Sequence, residues 1–87
     1  MKEVELVELS SPGCTHCQAF QEFWHSVEKD WPAVKFREVS ITTAEGQDLA
    51  SKHMIFASPG IILDGELFST GGVNQDKFLA RIKELSQ

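Results

Sequence analysis

Two cysteines separated by two residues, in the run Cys14-Thr15-His16-Cys17, are the chain's only cysteines and its clearest chemical signal. One turn of helix brings the sulfurs of such a pair together. A bridge between them closes a tiny loop and adds little by restricting the unfolded chain. Redox chemistry is therefore a better reason for the pair than stapling. Ser10-Ser11-Pro12-Gly13 precedes it as a breaker and a helical pattern follows, so the pair sits at a helix start. Free amides and the positive end of the helix dipole stabilise an anion there and lower the pKa of a thiol. Cys14, at the start, is expected to be exposed and nucleophilic. Cys17, one turn in and on the same face as Phe20, is expected to be buried and to resolve a mixed disulfide. A protonated His16 beside Cys14 would stabilise the thiolate further and make the disulfide a stronger oxidant. The plainer reading is a solvated loop histidine.

Other chemistries fit less well. Tetrahedral zinc wants four ligands, and His16, His25 and His53 form no second paired motif. Haem attachment needs a histidine after the second cysteine, where Gln18 stands. A small carrier of Cu(I) or zinc would suit two soft thiolates. Such carriers usually follow the order β-α-β-β-α-β, which the pattern below does not. Glu8 lies six residues before Cys14 and shares a strand face with Val4 and Leu6. Buried carboxylates are rare unless paired or functional. Paired with Lys35 or Arg37, Glu8 would be an ordinary, partly exposed strand residue.

The elements that must position these residues are legible in outline. Residues 4–10 carry apolar groups on both faces, as in a central covered strand. Cys17, Phe20, Trp24, Val27 and Trp31 recur at helical spacing over 14–30, and Pro32 ends the helix. A weaker strand covers 35–41. Thr42 and Glu45 fit a capping box for a short helix to about His53, burying Leu49, Ala50 and Met54. Pro59 opens the apolar run Ile61-Ile62-Leu63, Asp64-Gly65 is a preferred hairpin turn, and Leu67 and Phe68 return. Asn74 can cap a last helix whose face is Phe78, Leu79, Ile82 and Leu85. The order is β-α-β-α-β-β-α. It specifies an α/β fold with a mixed four-stranded sheet and helices on both faces. The opening βαβ unit implies two parallel strands joined by a right-handed crossover.

At 87 residues, 41% of them hydrophobic with six Phe and two Trp, the chain reads as one folded domain over 1–87. Eight basic against thirteen acidic residues give a net charge of −5, which disfavours nucleic acid and acidic membrane surfaces as partners. No apolar run reaches the roughly 20 residues that span a bilayer. The segment Met1-Lys2-Glu3-Val4-Glu5 lacks signal-peptide character, so a cytoplasmic location is expected; a monomer is expected as well.

A strand, Cys-x-x-Cys, a helix and then Ser58-Pro59 opening a hairpin strand resembles the thioredoxin fold over essentially the whole chain. The pattern is most similar to the short thioredoxin-like and glutaredoxin-like proteins. That resemblance implies a cis Ser58–Pro59 bond facing the cysteine pair, with the backbone at Ser58 holding the substrate chain. It implies that Glu8 matches the buried thioredoxin Asp that serves proton transfer to the inner cysteine. Gly71-Gly72 resembles the glutaredoxin segment that helps hold glutathione at a helix start. Thr15 joins Ser58, Pro59, Gly71 and Gly72 in the implied substrate-binding set. The Cys-x-His-Cys pattern also resembles protein disulfide isomerases, which carry Gly where Thr15 stands. Neither the basic residue of glutaredoxins nor the Trp of thioredoxins precedes the first cysteine, where Ser11, Pro12 and Gly13 stand.

The reading is thus a thiol–disulfide oxidoreductase acting on protein disulfides, with a reductase or glutathione as redox partner. It needs no metal and no organic cofactor beyond glutathione as a co-substrate. A glutathione-dependent glutaredoxin is the alternative within the class. The metal carrier and a binding module without turnover are the rivals outside it.

Overall fold

The computed structural model describes residues 2–87; Met1, the first residue of the opening segment read above, lies outside them. Strand β1 (Val4–Ser10) leads into helix α1 (Thr15–Val27), followed by a 3-10 turn over Glu28–Asp30. Strand β2 (Val34–Ser40), helix α2 (Ala44–His53), the hairpin β3 (Gly60–Leu63) and β4 (Glu66–Thr70), and helix α3 (Gln75–Ser86) complete the chain. The sheet order is β2-β1-β3-β4. β1 pairs parallel with β2, as a βαβ crossover requires, and antiparallel with β3. Among the described residues no helix is long and apolar enough to cross a membrane.

Alternation along β1 sends its side chains into two separate cores. Val4 and Leu6 join Phe20, Trp24, Ile61, Phe78 and Ile82 beneath α1 and α3. Val7 and Leu9 join Val39, Ile55 and Ile62 on the α2 side. Phe78 organises the first core. Its ring meets those of Phe20, Trp24 and Phe68 edge-on, with centroids 5.3, 6.0 and 5.9 Å away. Such T-shaped pairs add attraction beyond the area they bury. Phe68 reaches Phe78 from a bulge: Ile61 pairs with Ser69 and Ile62 with Leu67, which leaves Phe68 as the extra residue of β4. Asp64 and Gly65 take φ of 51° and 82°, the left-handed pair of a type I′ turn.

Four local details depart from the expectations above. α1 closes at Val27 and a tighter 3-10 turn carries the chain on, with Trp31 N–H bonding the Glu28 carbonyl. β2 starts and ends one residue earlier than the pattern suggested. Helix α2 is capped by Thr43, whose hydroxyl accepts from Gly46 N–H at 3.0 Å. Thr42 instead pairs with the Ser40 hydroxyl, and Glu45 binds Arg37. Met54 is exposed, because it ends α2 in the left-handed conformation and the turn hands the buried place to Ile55.

Gly46 is buried in the first turn of α2, where an added Cβ would fall on the Ser40 carbonyl. Gly46→Ala ought to favour the helix by about 1 kcal/mol on propensity. We expect the backbone clash to win, with a net loss of roughly 1–3 kcal/mol in denaturant unfolding.

Candidate active site

The cysteine pair sits where β1 turns into α1. Pro12 and Gly13, the latter at φ 72°, form the centre of a turn closed by Cys14 N–H on the Ser11 carbonyl. Pro followed by a positive-φ Gly is the type II arrangement. It delivers Cys14 to the N-cap position of α1, where its Sγ accepts from Cys17 N–H at 3.0 Å. A sulfur thus takes the place that a Ser or Asp oxygen usually fills, at the positive end of the helix. Cys14 and Cys17 are joined by a disulfide, with Cα atoms 5.2 Å apart. Cys14 is half-buried and Cys17 is 3% exposed.

The Ser58–Pro59 bond is cis and Pro59 is buried. Ser58 meets the site through its side chain: its hydroxyl donates to Cys14 Sγ at 3.4 Å and lies 2.7 Å from the Ser11 hydroxyl. With the Ser58 hydrogen on sulfur, Ser11 donates to Ser58. Gly71, at φ 75°, donates its N–H to the Pro59 carbonyl at 3.1 Å, which ties the end of β4 to the proline loop. Gly72 lies farther out and shares a groove with His16, Phe23, Val73 and Gln75. Thr15 and His16 occupy the exposed first turn of α1. His16 lines that groove, and among the described residues no side-chain hydrogen bond joins it to Cys14.

Glu8 is fully buried. Its partner is neither Lys35 nor Arg37. Gln21 Nε2 donates to Glu8 Oε1 at 2.9 Å, and Glu8 Oε2 has no hydrogen-bond partner. Burial pushes the Glu8 carboxyl from 4.5 up to about 7; the Gln21 hydrogen bond opposes this and the neighbouring Glu38 charge adds to it. The same Gln21 nitrogen donates to Glu38 Oε2 at 2.7 Å, and the Ser10 hydroxyl donates to that oxygen at 2.9 Å. A groove lined by Gly13, Cys14, Cys17, Gln21 and Glu38 opens this network to solvent beside the disulfide.

The sequence reading did not single out Ser11, Gln21 or Glu38. One signal was present: Gln21 is a polar residue one turn beyond Cys17, interrupting the apolar stripe. Glu38 needed the register, which sets it directly beside Glu8 across β1 and β2. Among the described residues no three His, Cys, Asp or Glu side chains gather into a metal-binding group. The arrangement can make and break one disulfide, with an accessible sulfur, a buried sulfur and a buried acid.

A family model described as thioredoxin domain matches residues 2–84. No curated protein matches the chain in sequence. Among solved structures it is similar to thioredoxin O2 of Arabidopsis thaliana in its oxidized state, with TM-score 0.75 and 15% identity over 99% of this chain and 77% of that one. Mitochondrial thioredoxin 3 of Saccharomyces cerevisiae, also oxidized, gives 0.74 and 22% over 97% and 80%. A structure on thiol resolution in yeast mitochondrial 1-Cys peroxiredoxin via glutathione/thioredoxin systems gives 0.74 and 21% over 97% and 80%. At these identities the likenesses carry the fold.

The Glu8 carboxyl makes stability depend on pH with a definite sign. Its folded-state pKa lies above the unfolded value, so its contribution is fully present below pH 4.5 and is lost as pH rises through about 7. The loss should reach at most about 3 kcal/mol. Denaturant unfolding of the oxidised protein should therefore give higher stability at pH 5 than at pH 8, and Glu8→Gln should flatten that difference.

Proposed function

Since the chain belongs to the thioredoxin domain family, we propose that it is a thiol–disulfide oxidoreductase exchanging its Cys14–Cys17 disulfide with protein substrates. The observation that carries the reading is the Cys14 sulfur at the N-cap of α1, with the Ser58 hydroxyl on its other side. Both donors favour negative charge on Cys14 Sγ when the pair is reduced.

In the reducing direction the Cys14 thiolate attacks a substrate disulfide. One substrate sulfur leaves with the electron pair of the broken bond, and a mixed disulfide joins Cys14 to the other. Cys17 then gives up its proton, with Glu8 as acceptor, and attacks Cys14 Sγ. The second substrate sulfur leaves, and two electrons have passed from the cysteine pair to the substrate. The oxidising direction is the reverse. The backbone at Ser58 and Pro59, with Thr15, Gly71 and Gly72 around it, forms the surface on which an extended substrate segment would lie. A protein disulfide as substrate is supported by the similar structure concerned with a peroxiredoxin thiol. A reductase or glutathione would regenerate the reduced form.

The metal-carrier reading has less support. The terminal hairpin and helix do not follow its element order, and the Ser58 loop is packed against Cys14.

Trapping tests the assignment of roles. Cys17→Ser should accumulate mixed disulfides with substrate proteins on non-reducing gels, and Cys14→Ser should not. The reverse pattern would exchange the roles, and no trapping by either variant would count against exchange altogether. Removing the Ser58 hydroxyl in Ser58→Ala should raise the Cys14 thiol pKa and lower the reduction potential measured against glutathione buffers. If the His16 side chain acts on Cys14 Sγ, as the sequence pattern suggests, His16→Ala should lower the potential too. An unchanged potential there would leave the effect to the helix terminus and Ser58.

A further inference from the structure

On the exchange reading above, we propose that Gln21 and Glu38 are positioning residues of a proton exit. Gln21 clamps Glu8 to Glu38 through one amide nitrogen, and the groove beside Cys17 is where the resolving proton reaches solvent. Exchange chemistry requires only that Cys17 lose a proton to something. The hydrogen bonds on Glu8 and Glu38 show how the acceptor is held.

The geometry of the clamp is specific. An amide NH2 has two hydrogens, and here each goes to a different carboxylate: 2.9 Å to Glu8 Oε1 and 2.7 Å to Glu38 Oε2. The parallel register sets those two residues side by side. The Ser10 hydroxyl fixes the same Glu38 oxygen from β1. Glu8 Oε2 is buried without a donor, which is the condition of an oxygen free to take a proton. Cys17 and Gln21 are one helical turn apart on α1, and both line the groove in which Glu38 stands exposed.

The step balances. As Cys17 Sγ attacks Cys14 Sγ, its electron pair makes the new bond and its proton passes to Glu8 Oε2. The substrate sulfur departs with the pair of the bond that breaks. The proton on Glu8 is then released through the groove to solvent, and Glu8 is ready for the next cycle.

The two clamp residues act on Glu8 with opposite signs. The Gln21 N–H stabilises the ionised carboxylate, whereas the Glu38 charge repels it. Few other groups intervene. β3 presents Ile61 opposite Glu8, and α3 presents Phe78 and Ile82. From α1, Gln21 reaches Glu8, and Cys17, one turn before it, does not titrate while oxidised. Lys35 and Arg37 alternate onto the opposite side of β2, where Arg37 binds Glu45.

The test is an NMR titration of carboxyl-labelled Glu8 in the oxidised full-length protein, with Glu8→Gln assigning the signal. Glu38→Gln keeps an acceptor for Gln21 and Ser10 and removes the charge, so the Glu8 midpoint should fall by half a pH unit or more. Gln21→Leu should raise it, since the lost hydrogen bond outweighs any relief of repulsion. In stopped-flow release from a preformed mixed disulfide, the pH profile should move with each midpoint. Midpoints that stay put, or that move in the same direction in both variants, would overturn the clamp. So would a release profile that ignores them. The titration needs no substrate. A protein that fails to exchange disulfides would still show the opposed shifts, so loss of the exchange reading is distinguishable from loss of the clamp.

Discussion

The hydrogen bond from Cys17 N–H to Cys14 Sγ is where folding and chemistry meet in this protein. Helix α1 must satisfy its first amides with something, and it uses the reactive sulfur. The type II turn at Pro12-Gly13 exists to bring that sulfur to the cap, and β1 exists, in part, to aim the turn. A different N-cap residue would satisfy the helix equally well and leave nothing to exchange. Conversely, a cysteine pair elsewhere on the helix would lack the dipole and the free amides that favour a thiolate.

The second constraint runs against stability. β1 is covered on both sides, and the first core closes over it with Trp24, Phe78 and Ile82. Placing a carboxyl there is unfavourable whenever it is ionised, and a pKa near 7 is the consequence. An apolar residue at position 8 would suit the core better. Gln21 supplies the acid with one hydrogen bond, and its remaining free oxygen is the one that the proposed exchange would use to take the Cys17 proton. Residues that break the local packing rule in this way are where function is expected.

Much of the framework could be read from local signals. The β1 limits, the Asp64-Gly65 turn and the Asn74 cap each rest on chemistry within a few residues, and each stands as read. The α2 cap did not. Thr42 and Thr43 are chemically equivalent, and the choice was made by Ser40, which bonds Thr42 through its hydroxyl and crowds Gly46 through its carbonyl. Met54 was misplaced because nothing in its side chain announces a left-handed backbone. At the site, the cysteines, Glu8 and Pro59 carried signals of residue type or family pattern. Glu38 and Ser11 did not, and Gln21 carried only its polarity within an apolar stripe, because their partners lie 13, 17 and 47 residues away in sequence. Only the parallel register and the proline loop bring them in.

The result is a disulfide with two unlike ends. Cys14 is partly open to solvent and meets neutral hydroxyl donors from two loops, Ser58 directly and Ser11 behind it. Cys17 is closed off, with a titratable acid and its clamp on the same side of the sheet. Neutral donors stabilise a thiolate without taking its proton, which suits the sulfur that the proposed exchange needs charged when a substrate arrives. An acid with a pKa near neutrality can take a proton and return it, which suits the sulfur that, in the proposed exchange, stays protonated until the mixed disulfide forms. If both ends had hydroxyl donors, Cys17 would compete as a nucleophile from a site no substrate can reach. If both had acids, Cys14 would be held protonated by the neighbouring charge. In the proposed exchange the order of the two steps therefore follows from which chemistry the fold places at each end of one helical turn.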